Sequence, residues 1–133
     1  MATQAALISF TETVDALGNK VVAVTPTMVD NLTPTGQVLA ANGATNIVNG
    51  NIAITKGSAA AITLAAPTAT TDDYKIITIV DTTGYLHTVT TPANKINSDS
   101  SVITFSGVVG DLVRLMAYQG IWYEISLPHH YTV

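Results

Sequence analysis

Four groups of side chains in this chain have types and spacings that chemistry could use: Asp72-Asp73, His87, His129-His130, and Tyr118 with Trp122. A carboxylate pair can divide acid and base duties or hold a cation. Neighbours in one loop seldom converge on a single atom, and no second acidic cluster supports Asp72-Asp73. A solvated loop is the plainer reading. His87 stands in an extended stretch where Ile79 and Val89 are its expected neighbours. No Ser or Asp is placed by sequence to complete a triad, so a histidine satisfied in the core is expected over a general base. His129 and His130 point opposite ways in extended chain and cannot chelate one ion together, although either could bind a metal when repeated about a threefold axis. Tyr118 and Trp122 could stack on a sugar, or pack beneath a neighbouring sheet or subunit, which is the commoner use. The chain has no EF-hand spacing, phosphate loop, nucleotide glycine fingerprint or nucleophile elbow. Neither catalysis nor a cofactor is expected.

The element that must position the aromatic pair is Asp111 to Leu127, DLVRLMAYQGIWYEISL, a β-hairpin turning at Gly120 and the expected central pair of the core. A three-residue Tyr118-Gln119-Gly120 loop, with Gly120 in a left-handed bulge position, sets Ala117 against Ile121, Leu115 against Tyr123 and Val113 against Ile125. The other face then carries Met116 against Trp122 and Arg114 against Glu124. A two-residue turn would lay Arg114 among Ile125 and Tyr123. Burial sets register, so the three-residue loop is expected. Aromatic, Met and Arg side chains are enriched at protein interfaces, and Arg114 can pair with Glu124 across the strands. Arg114, Met116, Tyr118, Trp122 and Glu124 are therefore expected at a subunit contact.

The remaining chain reads as further short strands. Leu7 to Thr11 and Val21 to Val24 (closed by Pro26) are irregularly spaced, and Val38 to Ala41 is either a brief strand or a single helical turn. Asn51 to Thr55, Ala60 to Ala65 and Ser101 to Phe105 alternate, and Lys75 to Asp81 is apolar enough to be a central strand covered on both faces. Thr82-Thr83-Gly84 reads as a second hairpin loop. About eight strands at roughly eight-to-twelve-residue spacing predict an all-β fold, a small sandwich or barrel, jelly-roll-like. Residues 1–44 form a less regular N-terminal arm or edge strands, and residues 45–133 the domain. No repeat is visible at solenoid or propeller periods.

Composition narrows the class. Thr, Val and Ile make up 47 of the 133 residues, which favours pleated sheet over helix. Charged residues are 11% of the chain, far below the typical quarter, so other subunits are expected to cover part of the surface. The net charge of −4, with the five basic residues scattered, argues against nucleic acid. Without cysteine there is no disulfide framework and no thiolate metal site. No apolar run approaches the ~18 residues of a membrane span, and MATQAALISF lacks the basic start of a secretory signal. Synthesis in the cytoplasm is expected, and Asn31-Leu32-Thr33 is not expected to carry a glycan.

The run AAITLAAPTATTDDYKIITIVDTTGYLHTVTT, followed by ITFSGVVGDLVRLMAYQGIWYEIS, resembles a C-terminal module of small virion proteins of tailed bacteriophages. The matching positions are Leu64, Pro67, Ile77, Ile79, Asp81, His87, Val89, Phe105, Gly110, Asp111, Leu115, Gly120, Trp122 and Tyr123. Tyr74 stands where glycine is commoner, and residues 1–44 match nothing in the pattern. The resemblance implies a non-enzymatic structural role, as in capsid decoration proteins, head fibres and tail-associated proteins, typically as homotrimers. The expected function is a trimeric decoration protein on the outer capsid surface, its partners being itself and the major capsid protein. Leu7, Ile8 and Phe10 would anchor the arm to the shell. A receptor- or glycan-binding module of a fibre is the alternative.

Overall fold

The computed structural model describes the backbone of residues 5–29, 35–126 and 130–132, and the side-chain surroundings of 13–21 and 35–126. The described elements are all strands and turns, as the β-branched composition requires. Two compact units form, Met1–Pro34 and Thr35–Val133.

The first unit is an antiparallel ribbon of β1 (Ala5–Val14) and β2 (Lys20–Val29), paired from Ala5↔Val29 to Val14↔Lys20. Asp15 closes it: Oδ1 accepts hydrogen bonds from the backbone N–H groups of Leu17 and Asn19, both at 2.9 Å. These bonds, that from Asn19 foremost, hold the Asp15 carboxyl below its ordinary range. β2 runs on through Pro26, where a strand end was expected. Each strand of a two-stranded ribbon keeps one unpaired edge, which is where a missing N–H is tolerated. Leu7, Ile8 and Phe10 pair with Thr27, Pro26 and Val24 in this ribbon, and their side-chain surroundings lie outside the described residues.

The second unit holds β3 (Gly36–Leu39), β4 (Gly43–Ala44), β5 (Gly50–Ile54), β6 (Ala61–Thr63), β7 (Ile76–Asp81), β8 (Thr88–Thr90), β9 (Val102–Thr104), β10 (Leu112–Tyr118), β11 (Ile121–Glu124) and β12 (His130–Thr132). They make two five-stranded sheets, β11-β10-β7-β5-β3 and β12-β9-β8-β6-β4. Residues 35–44 thus supply an edge strand to each sheet. From β3 to β8 the chain alternates between the sheets, so β3, β5 and β7 pair in parallel, as do β4, β6 and β8. A jelly roll has antiparallel neighbours, so the expected winding is replaced by coils. Those coils start at Gly36, Gly50 and Ile76, and the unequal intervals leave no repeat to see in the sequence. Asn51 N–H bonds the Thr35 carbonyl at 2.9 Å, and a Cβ on Gly50 would sit 2.2 Å from that same oxygen. Only glycine allows the second coil to close on the first.

The inward residues of both sheets meet in one cluster, with Ile52, Ile54, Ile77, Ile79, Val113 and Leu115 from one side and Ile62, Val89 and Ile103 from the other. β7 is central, but only Ile77, Ile79 and Asp81 are buried; Ile76, Thr78 and Val80 on its other face are half-exposed. Residues 82–87 carry the chain across to the second sheet instead of turning a hairpin. Ile77, Ile79, His87 and Val89 still share one interior, reached from opposite layers.

The β10–β11 hairpin departs from the expected register and position. Tyr118 pairs with Ile121, Ala117 with Trp122, Met116 with Tyr123 and Leu115 with Glu124. Gln119 (φ 47°) and Gly120 (φ 78°) form a two-residue turn with both central residues left-handed, the type I′ geometry whose twist suits a hairpin. β11 is an edge strand, so the pair is not central. One residue of loop length flips the whole strand. Trp122 now lies fully buried beside Leu115 and Ala117, with its Nε1–H donating to the Ala65 carbonyl at 2.9 Å. A single Trp with a satisfied N–H outweighs the Ile121, Tyr123 and Ile125 it displaces outward.

Candidate functional site

The displaced residues create the most distinctive surface of the second unit, the outer face of the first sheet. Cross-strand register orders it in rows: Val38, Ala53, Val80 and Leu112; then Gly36, Asn51, Thr78, Arg114 and Ile125; then Ile76, Met116 and Tyr123; then Tyr118 and Ile121. Arg114 is the one charged residue in these rows. Beside the last two rows, Tyr74, Met116, Tyr118 and Tyr123 line an open groove of about 370 Å³.

The loop before β7 completes this groove through unusual backbone geometry. Tyr74 is left-handed (φ 67°), a conformation costing about 1–2 kcal/mol in a residue other than glycine. That explains why glycine suits the position better. The loop is nevertheless tightly held. Tyr74 N–H donates to Ala117 O at 2.7 Å, while Asp73 accepts from Gln119 N and Nε2, both at 2.7 Å. Asp72 accepts from Thr68 N and from Lys75 Nζ, again at 2.7 Å each. The Lys75 bond, followed by that from Thr68, holds the Asp72 carboxyl below its ordinary range. The two carboxylates therefore diverge and pin the loop. They are neither a catalytic pair nor a free solvated loop, and Asp72 is buried. The result is a Tyr74 ring 69% exposed with its centroid 5.7 Å from that of Tyr118.

Arg114, Met116 and Tyr118 stand on this face, but Trp122 and Glu124 stand on the opposite one. The five do not form the single surface expected, and Arg114 does not pair with Glu124. Ser126 Oγ donates to Glu124 Oε1 at 2.8 Å, and Glu124 N–H donates to Asn97 Oδ1 at 3.0 Å. Tyr74 and Tyr123, which sequence reasoning passed over, join the face instead. The Gln119-Gly120 dipeptide, acceptable to a type I′ turn, was the signal for Tyr123. No sequence signal pointed to Tyr74.

A second cluster is buried between the sheets. His87 is fully buried, and its Nδ1 accepts from Ala60 N–H at 3.0 Å. That bond fixes the tautomer: Nε2 carries the hydrogen and lies 3.1 Å from Asp81 Oδ1 and 3.0 Å from Thr83 Oγ1. Asp81 Oδ1 also accepts from Thr83 N and Gly84 N at 2.8 Å each. Burial pushes the Asp81 carboxyl up, but the backbone N–H groups of Thr83 and Gly84 outweigh it and hold the carboxyl below its ordinary range. Both imidazole nitrogens are occupied and no face is open, so His87 is a core histidine that ties the 82–87 crossing to β6 and β7.

Among the described residues no three His, Asp or Glu side chains gather as metal ligands. The backbone of His130 pairs with Thr104, so the expected plain tail contains a strand, while His129 and the side chain of His130 lie outside the described residues. The sequon at Asn31 lies outside them too. No family model, curated protein or solved structure matches the chain.

Proposed function

We propose that this protein is a non-enzymatic structural protein of a phage virion, a homotrimeric decoration protein that binds the outer capsid surface. The observation that carries the assembly half of this reading is the outer face of the first sheet. Rows rich in Val, Leu, Ile, Met and Tyr, with Asn51, Thr78 and a single Arg among them, are interface composition, and water is a poor final neighbour for them. The resemblance in residues 60–127 supports the virion half. The β1–β2 ribbon supplies the attachment element, since a lone two-stranded ribbon is marginal in water and gains stability from further strands. Three linked ribbons multiply occupancy through effective concentration.

Deletion of residues 1–12 tests the attachment. The truncated protein is expected to fold and assemble but not to bind shells, and unchanged shell binding overturns the role given to the ribbon. Imaging of particles with and without the protein is expected to show its density at threefold or quasi-threefold positions. The exposed Tyr74–Tyr118 pair, its rings tilted 43° to one another, favours one second reading, a glycan-binding fibre module. A glycan screen with Tyr118→Ala as control separates the two.

A further inference from the structure

Resting on the assembly reading, we propose that the covered face is matched to a second copy of this chain by an ion pair between Arg114 and the neighbouring copy's Asp99. Arg114 is exposed, and its guanidinium has no hydrogen bond or ion pair among the described residues. Only its backbone is engaged: the N–H donates to Ser126 Oγ at 3.1 Å, and the carbonyl accepts from Ile125 N–H at 2.8 Å. With Glu124 turned to the opposite side, a carboxylate for Arg114 must come from outside this surface. An apolar interface that buries an unmatched arginine is strongly penalised.

The matching charge stands at the rim of the same groove. Ser98 Oγ is 3.4 Å from Tyr123 Oη, and the next residue, Asp99, is exposed with one bond, from Ser100 Oγ at 2.9 Å. The turn that presents Asp99 is fixed to β11 and to itself: Asn97 N–H donates to Trp122 O at 2.8 Å, and Ser100 N–H to Ile96 O at 2.9 Å. Arg114 lies one row beyond the Met116–Tyr123 pair. The outer face therefore carries a cation without a carboxylate partner one row from the groove, and an exposed carboxylate beside Ser98 at the groove's edge. This layout complements itself. An anionic ligand drawn by Arg114 would meet Asp99, and a cationic one drawn by Asp99 would meet Arg114, whereas a second copy satisfies both.

Charge exchange in the full chain tests the pairing by sedimentation velocity, with Met116→Lys as the control for the face itself. Arg114→Asp and Asp99→Arg are each expected to weaken self-association about tenfold or more, and the double variant to return to within a few-fold of wild type. Asp99→Asn, which keeps an acceptor for Ser100, is expected to weaken association and flatten its dependence on salt. If Met116→Lys disperses the assembly while the single exchanges have no effect, or the double exchange restores nothing, the pairing is wrong and the assembly reading stands. If Met116→Lys also leaves the assembly intact, the reading itself fails.

Discussion

The two sheets present outer faces of opposite character on one scaffold. Beyond Ile62, Val89 and Ile103, the second sheet turns Ala61, Thr63, Thr88, Thr90, Val102 and Thr104 outward. Beyond Ile52, Ile79 and Val113, the first sheet turns out Val38, Ala53, Val80 and Leu112, then a mixed row with Asn51, Thr78, Arg114 and Ile125, then Ile76, Met116, Tyr118 and Tyr123, with Tyr74 of the preceding loop beside them. Both faces have the same pleat and the same alternation, and both inner halves enter the same core. The threonine face has hydroxyls enough for water and needs no cover. The other has aromatic and aliphatic area that the described residues of the second unit leave exposed, and the proposed assembly would cover it.

The largest expected effect tests which side of β11 is inner. Trp122→Ala removes a buried ring and orphans the Ala65 carbonyl, and is expected to cost about 3–5 kcal/mol. Tyr123→Ala, one residue away on the outer face, is expected to cost under about 1 kcal/mol in a dispersed variant such as Met116→Lys. Urea midpoints decide it, and equal costs would contradict the register.

Asp81→Asn comes next, at about 2 kcal/mol, because the buried acceptor of hydrogen bonds from Thr83 N, Thr83 Oγ1, Gly84 N and His87 Nε2 loses its charge. Its pH signature has a definite sign. The folded carboxyl lies below the ordinary value of 3.8, so its stabilisation is present above that pH and is lost as pH falls through the folded pKa. Melting temperature of the wild type is expected to fall on acidification below about pH 4, and Asp81→Asn to flatten that limb. An unchanged limb would assign the acid sensitivity elsewhere.

The smallest effect sharpens the comparison at the groove. Tyr74→Gly relieves the left-handed strain and is expected to leave the melting temperature unchanged or raise stability by up to about 1 kcal/mol, while weakening self-association. Lower stability with unaltered association would mean that the Tyr74 ring serves the fold alone.

Much of the sheet content was legible because β-branched alternation is local: the stretches at 60–65, 75–81 and 101–105 contain the strands expected of them, and that at 51–55 is offset by one residue from β5. The winding was not legible. Residues 82–87 have the composition of a hairpin loop, and only tertiary packing of His87 against Ala60 and Asp81 sends them to the opposite sheet. At the site, Val113, Leu115 and Ala117 were placed inward correctly. Their partners were misassigned because counting apolar residues favoured Ile121, Tyr123 and Ile125 over one Trp. Tyr74 was invisible, since its position depends on Asp73 reaching Gln119 from 46 residues away.

Sedimentation velocity of the full chain beside Met116→Lys and Thr90→Lys tests the contrast between the faces most directly. Wild type and Thr90→Lys are expected to sediment as a trimer of the 13.9 kDa chain, and Met116→Lys as a folded monomer with an unchanged far-ultraviolet spectrum. A monomeric wild type, or a Met116→Lys variant that sediments with it as a trimer, would contradict the claim that this face is built to be covered.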